Sequence, residues 1–417
     1  MSQESSQPER VSGLQSEKDM QEALEVIVSS FPKEPRMKQH MEKALWKGPV
    51  FKPEHTRVAV VDGRVVSVIV MAPRTVWIGS VKVPAMTVGP VATLEAYRKK
   101  GYCRAVMEDV DRYMERNGIL LAYLQGGIRM YGRFGYFRYL HGGCGEPTSE
   151  IKVEDAEVWA SKGRLRRMRR SDIPALARLY ARVNTRRTMT AIRDRNIWEW
   201  MLKYAVHTWL FSYPHVILNE KGNLCGYLTF TDKNSMGIRE FVVDDNEDSW
   251  RAVLGALSRR ARKLQSESFT LPLPWDAPMT LFLRQMVGVR FSTTIRRGGG
   301  ALMKIVNFSQ LMQTLQPLFN ERWKKRALSC GKIQFTLASE IGEVGISIRN
   351  NAVAISQSCS SSRVWIPLRW LPGLISGAYS VSDIAIQKES KISDKLLPVL
   401  DILFPPCWPV TYRADMY

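Results

Sequence analysis

The sequence is short of histidine, has no paired cysteines and contains no long apolar run. Its 417 residues include five histidines at no metal-ligand spacing, so no metal is expected. Six cysteines (Cys103, Cys144, Cys225, Cys330, Cys359 and Cys407) are scattered without a C-x-x-C pair. That pattern argues against a disulfide framework and a zinc site, and fits a reducing, cytoplasmic setting. The opening segment is polar and lacks the apolar centre of a secretion signal. The best apolar run, Val65 to Ala72, contains Ser67 and falls far short of the ~20 residues that span a bilayer. It reads as a strand, and no membrane partner is expected.

Acids are also in deficit, with 40 Asp and Glu against 60 Lys and Arg, for a formal charge of +20. Such a field attracts polyanions, whether nucleic acid, anionic membrane or a phosphate-rich cofactor. The basic clusters at 164–170, 259–263 and 322–326 are short and broken by apolar residues, the pattern of solvated helix faces. No aromatic-basic platform accompanies them, so nucleic acid is not the expected partner.

The length predicts two to four domains. Residues 1–17 are polar without periodicity and predict a disordered tail. Residues 18–148 predict a mixed α/β unit. A helical pattern (Met20, Ala23, Leu24, Ile27, Val28) precedes strands on either side of Asp62-Gly63, a hairpin signal. A helix is predicted from Tyr102 to Asn117-Gly118, then a buried strand over 119–124. A second unit, 164–300, repeats this order loosely without a glycine loop, and Arg297–Gly300 reads as a linker. The third, 301–417, predicts a helix, alternating strands and a Pro-rich tail.

The chemistry-bearing stretch is Arg98-Lys99-Lys100-Gly101-Tyr102-Cys103, followed by Arg104, between a strand region and an amphipathic helix. Unsatisfied N–H groups and the dipole at a helix start make an anion site. Gly101 lets the backbone approach a pyrophosphate, and the cations add charge. A basic turn that merely caps a helix is the plainer reading of the same residues. The absence of a G-K-[ST] ending excludes a nucleotide triphosphatase loop.

This R-x-x-G-x loop resembles that of the GNAT acetyltransferases, although Cys103 replaces the usual final Gly or Ala. Together with Tyr131-Gly132-Arg133-Phe134-Gly135-Tyr136, it is similar to the "enhanced intracellular survival" (Eis-like) group. The resemblance implies two tandem GNAT folds, the first active and the second without cofactor, then a sterol-carrier-like α+β domain. It implies acetyl-CoA as co-substrate, transfer to a primary amine (an aminoglycoside, a polyamine-like or other cationic amine, with peptide amines and arylalkylamines equally open), and a homohexamer. Carried onto this sequence, it makes Tyr131 the general acid for the departing thiolate and the α-carboxylate of Tyr417 the proton acceptor. Val91, Ala92 and Thr93 would bind pantetheine and polarise the thioester, and Arg98 to Arg104 the pyrophosphate. Gly126-Gly127 would contact the adenosine side, and Trp46 would wall the acceptor pocket.

Read from the residues alone, Tyr131 is equally a core ring beside Phe134 and Tyr136. Tyr113 and Tyr123 compete for its role, although their periodicities place them on core faces. Asp109, Asp111, Glu115 and Asp415 are candidates for an acidic patch that would receive a cationic amine. The reading of another class is a lipid carrier on 301–417 with a degenerate transferase, which needs an open tunnel past Trp365, Trp370, Leu371 and Ile375.

Overall fold

The structure, a computed structural model, describes residues 7–141, 148–208, 211–293, 299–325, 332–357 and 362–416. The first unit contains β1 (Arg10–Gly13), β2 (Thr56–Val61), β3 (Arg64–Ile78), β4 (Val81–Thr93), β5 (Leu121–Gly127) and β6 (Phe137–Arg138). β1 lies inside the stretch expected to be a disordered tail, because its backbone pairs antiparallel with β2 from Arg10↔Val60 to Gly13↔Arg57. Asp62 and Gly63, both at positive φ, close the tight β2–β3 turn.

The second unit contains β7 (Thr148–Lys152), β8 (Arg164–Arg167), β9 (Pro214–Leu218), β10 (Leu224–Phe230), β11 (Ile238–Val243), β12 (Ser268–Pro272) and β13 (Arg290–Ser292). The last stretch contains β14 (Gly299–Ile305), β15 (Ile333–Ser339), β16 (Gly342–Arg349), β17 (Ala352–Ser356) and β18 (Ser362–Trp365).

The sheets repeat an order. The first runs β1-β2-β3-β4-β5-β14-β6, with the helix Tyr102–Arg116 between β4 and β5 in sequence. In the second unit the order is β8-β9-β10-β11 and β12-β7-β13, with the helix Glu247–Lys263 between β11 and β12. Each unit lends a strand to the other. β7, directly after the first unit, pairs with β12 and β13. β14, directly after the second, pairs along all of β5 from Leu121↔Ile305 to Gly127↔Gly299. Gly299 and Gly300, expected in a linker, are therefore sheet residues. The second unit likewise begins at β7, ahead of the expected residue 164. Arg297 and Gly298 lie outside the described residues.

The third unit is a sheet of order β17-β16-β15-β18 under the helix Phe308–Lys325. Strand alternation fixes what each sheet face meets. On β5, Ala122 and Leu124 join the core under the Tyr102–Arg116 helix. Leu121 and Tyr123 join the core shared with the third unit. That second core also takes in Met189 and Ala191 of the middle unit, so all three units contribute side chains to it. Main-chain bonds from Met189 and Ile192 to Trp77 and Thr75 seal the junction.

The basic clusters are largely engaged at home. Arg166 forks onto Asp172 at 2.7 Å, Arg262 onto Glu157, and Arg260 lies 3.8 Å over the Phe230 ring. The 164–167 cluster is an edge strand, not the helix face expected; its alternation suits a β ladder. Arg322 is half-buried, and the loss of water around it pulls its guanidinium down to about 10; it donates to the Leu403 carbonyl. Arg326 lies outside the described residues.

The C-terminal segment runs between the first and second units. Arg193, fully buried, binds both carboxylate oxygens of Asp415 at 2.8 and 2.9 Å and also pairs with Glu240. Tyr180, Trp198 and Tyr412 place their rings 4.6, 5.3 and 5.4 Å from its guanidinium carbon. The two acids hold Arg193 charged, against the opposing effect of burial. Tyr123 and Tyr139 donate to Asp415 O and Thr411 Oγ1.

Arg193→Ala should lower the unfolding free energy by about 3–5 kcal/mol in urea titration, since two buried acids lose their counter-ion. A loss below about 1 kcal/mol would show this network to be dispensable. His40, buried in the helix Met37–Lys43, is lowered by burial to about 4 from an ordinary 6.5. Between those values the unfolded chain binds a proton that the folded chain refuses. Its contribution to stability is therefore present above 6.5 and lost as pH falls towards 4. Stability measured across that window should fall less steeply in His40→Leu than in the parent.

Candidate functional site

β4 and β5 run parallel only from Ala85↔Leu121 to Thr87↔Tyr123. Beyond that point β4 pairs with β3 and β5 with β14, so the two strands part. A bulge assists: Ile69 opposes Val91 and Met71 opposes Val88, leaving Gly89 and Pro90 facing Val70, with Gly89 at φ 150°. Past the bulge, alternate β4 main-chain groups point away from β3, into the gap.

A groove opens onto this gap and is lined by Val91, Ala92, Thr93, Arg98, Lys99, Gly101, Tyr102, Cys103 and Arg104. It brings together the residues expected there, with one exception. Lys100 does not line it; its ammonium sits 5.4 Å over the Tyr97 ring. Gly101, at φ 91°, caps the helix Tyr102–Arg116 with no side-chain hydrogen bond. First-turn amides of a helix lack intrahelical acceptors, and here they belong to groove residues. Lys99, also at positive φ, completes the turn. Burial raises the Cys103 thiol pKa, with Thr93 opposing, so Cys103 is a small neutral wall. These donors and cations suit a pyrophosphate.

The groove also uses residues that the sequence reading did not assign to it: Ser30, Phe31, Tyr97, Met130, Arg133 and Phe134. Met130, Arg133 and Phe134 were within reach of sequence reasoning, because their spacing puts them on one side of a helical turn.

Tyr131 ends the short helix Ile128–Tyr131 at the end of β5. Its half-buried ring covers Gly126, where a Cβ would come 2.2 Å from Tyr131 Cε2. Gly126 thus seats a ring rather than lining the groove as expected. The Tyr136 ring meets that of Tyr131 edge-on at 6.2 Å. The competing tyrosines are committed elsewhere. Tyr123 is fully buried with its hydroxyl on Asp415 O, and Tyr113 donates to Glu54, which pushes it up to about 12 together with burial.

On the other sheet face a narrow slot runs between the 45–51 segment, β3 and the middle unit. Phe51, Val70, Arg74, Ile192, Trp200 and Asp415 are among its walls. Trp46, expected as an aromatic wall, packs instead into the core under the first helices. The expected acidic patch is dispersed by ion pairs. Asp109 binds Arg57 at 2.6 Å, Asp111 binds Lys304 at 2.6 Å, and Asp415 belongs to Arg193. Tyr417 lies outside the described residues. Asp415 and Met416 before it are buried beneath β5 and the slot.

Among the described residues there is no group of three or more metal-ligating side chains, and no helix is long and apolar enough to cross a membrane. Residues 13–138 match the acetyltransferase (GNAT) domain family. No curated protein sequence matches the chain. The fold as a whole is similar to a GCN5-related N-acetyltransferase from Anabaena variabilis ATCC 29413, at 15% identity and TM-score 0.71, covering 97% of this chain and 99% of that one. It is similar to a probable N-acyltransferase from Enterococcus faecalis V583, at 16% identity and TM-score 0.70, covering 97% and 98%. Eis1 from Mycobacterium abscessus is similar at 15% identity and TM-score 0.67, covering 96% and 98%. The fold is shared along nearly its whole length with these structures, and the match of residues 13–138 to the GNAT acetyltransferase domain makes the protein an acyltransferase.

Proposed function

We propose that the chain transfers an acetyl group from acetyl-CoA to a primary amine by direct attack. The observation that carries this is the position of the groove. A helix start rich in N–H donors and cations opens onto the β4–β5 gap, and Tyr131, next in sequence to the groove residue Met130, packs its ring over Gly126 at the end of β5. Acetyl-CoA supplies an activated thioester. Lys99, Arg98, Arg104 and the amides from Gly101 onward hold its phosphates, and the β4 main chain at Val91, Ala92 and Thr93 holds its arm and polarises the carbonyl.

Tyr131 gives its phenolic proton to the sulfur as the carbon–sulfur bond breaks, a role that suits a group with an ordinary pKa of about 10. The carboxylate of Tyr417 receives the proton that the amine nitrogen loses as its new carbon bond forms. The burial of Asp415 and Met416, its neighbours in sequence, supports that assignment.

The third unit acts in this reading as the element that supplies the terminus, on a sterol-carrier-like plan. Leu371 and Ile375 are buried in the shared core, which favours a filled interior over a lipid tunnel. The scattered cysteines suit a cytoplasmic place of action, and the Eis-like resemblance further assigns a homohexameric assembly.

Gly101→Val should weaken coenzyme A binding at least about tenfold, or ~1.4 kcal/mol, by calorimetry, because a β-branched residue resists positive φ. Unchanged affinity would remove the loop from the site. Tyr131→Phe should lower kcat about 100-fold or more with little change in KM for acetyl-CoA. A chain extended past Tyr417 should lose turnover while melting at the parent temperature. Full activity of the extended chain would take the terminus out of the mechanism.

A further inference from the structure

A further cavity borders the gap on the face where the chain ends. Gln125 in its wall belongs to β5 beyond Tyr123, where that strand has already parted from β4. By strand alternation Gln125 shares the face of Tyr123, whose hydroxyl donates to Asp415 O. Met416, one residue before the terminal carboxylate, is also in the wall. The cavity thus touches both the strand that borders the gap and the end of the chain, where the acyl-transfer reading puts the amine and its proton acceptor.

Its described lining residues include two arginines, Arg239 of β11 and Arg413, and no acid. Arg239 is half-buried and has contacts of its own. Arg413 is exposed, and its guanidinium makes no ion pair among the described residues. Burial, then the charges of Arg413 and Arg36, lower the Arg239 guanidinium from its ordinary value, so the three cations lie close together. Arg36 continues the path. With Arg167 it lines a neighbouring depression that again has no acid among its described lining residues. Both are exposed and without an ion pair among the described residues.

Like charges gathered without counter-ions repel one another, and an acidic ligand relieves that repulsion. The Tyr417 carboxylate adds one negative charge, at the amine's end of the cavity. Arg413, Arg36 and Arg167 remain for the rest of the substrate. A cationic body would be repelled along this path, and an acidic one drawn in.

We propose that the acceptor is the amine end of an acidic peptide, which enters the cavity beside Gln125 and Met416 and trails its carboxylates along Arg413, Arg36 and Arg167. This rests on the acyl-transfer reading above and names its substrate class. The chain's formal charge of +20 steers such a peptide from a distance.

The test follows thiol release from acetyl-CoA by the full-length protein with three amidated peptides, each opening on the same alanine amine. Their remaining residues are aspartate and glutamate, serine and glycine, or arginine and glycine. At low ionic strength kcat/KM for the acidic peptide should exceed that for the neutral one by about 30-fold, an advantage that shrinks as salt screens the charges. Arg413→Ser and Arg36→Ser, both at exposed positions, should each cut that ratio about fivefold through KM while the protein melts at the parent temperature. A neutral or basic peptide used as well as the acidic one, or a ratio that neither substitution moves, would overturn the assignment and leave acyl transfer standing. So would turnover of 2-phenylethylamine with none of the peptides. No thiol release with any of these amines would overturn both.

Discussion

A guanidinium sealed from water must be surrounded on all sides by groups that replace its hydration, and Arg193 recruits them from distant parts of the chain. Glu240 comes from the middle sheet, Asp415 and Tyr412 from the C-terminal segment, and Tyr180 and Trp198 from helices of the second unit. The charge can stay buried only if all of them arrive together. The network therefore holds the C-terminal segment between the first two units. Through the bond from Tyr123 to Asp415 O, it also fixes that segment against β5, the strand that borders the gap. Asp415 stands in the wall of the slot beside β3 because this arrangement holds it there.

The exchange of β7 and β14 ties the same region together from the other side. Beyond Tyr123, β5 has no partner in β4 and depends on β14 for its ladder. The gap between β4 and β5 would otherwise leave two edges of unpaired backbone. Here one side is paired by a strand from beyond the middle unit, while the other presents its main chain to the groove. The two units therefore cannot be separated without opening the site, although only the first carries the loop.

The site's anion-binding half was legible in the sequence because it is local. Arg98 to Arg104 form one turn, and a glycine at a helix start predicts both backbone geometry and charge within a few residues. The Asp62-Gly63 turn and the strands on either side of it were readable from composition and period for the same reason. Lys100 was misplaced because residues in one loop point in different directions, which spacing does not specify. β1 was hidden because a polar edge strand has no apolar alternation to betray it. β14 was hidden because glycine signals a linker more often than a pairing partner.

What the sequence determined by itself was the basic glycine turn and the helix behind it, set by patterns a few residues long. Only the tertiary structure decided which acids were free to meet a substrate. Asp109, Asp111 and Asp415 look equivalent along the chain, yet Arg57, Lys304 and Arg193 reach them from 52, 193 and 222 residues away. Ion pairing across such separations depends on where folding places the partners, and that information resides in no single segment.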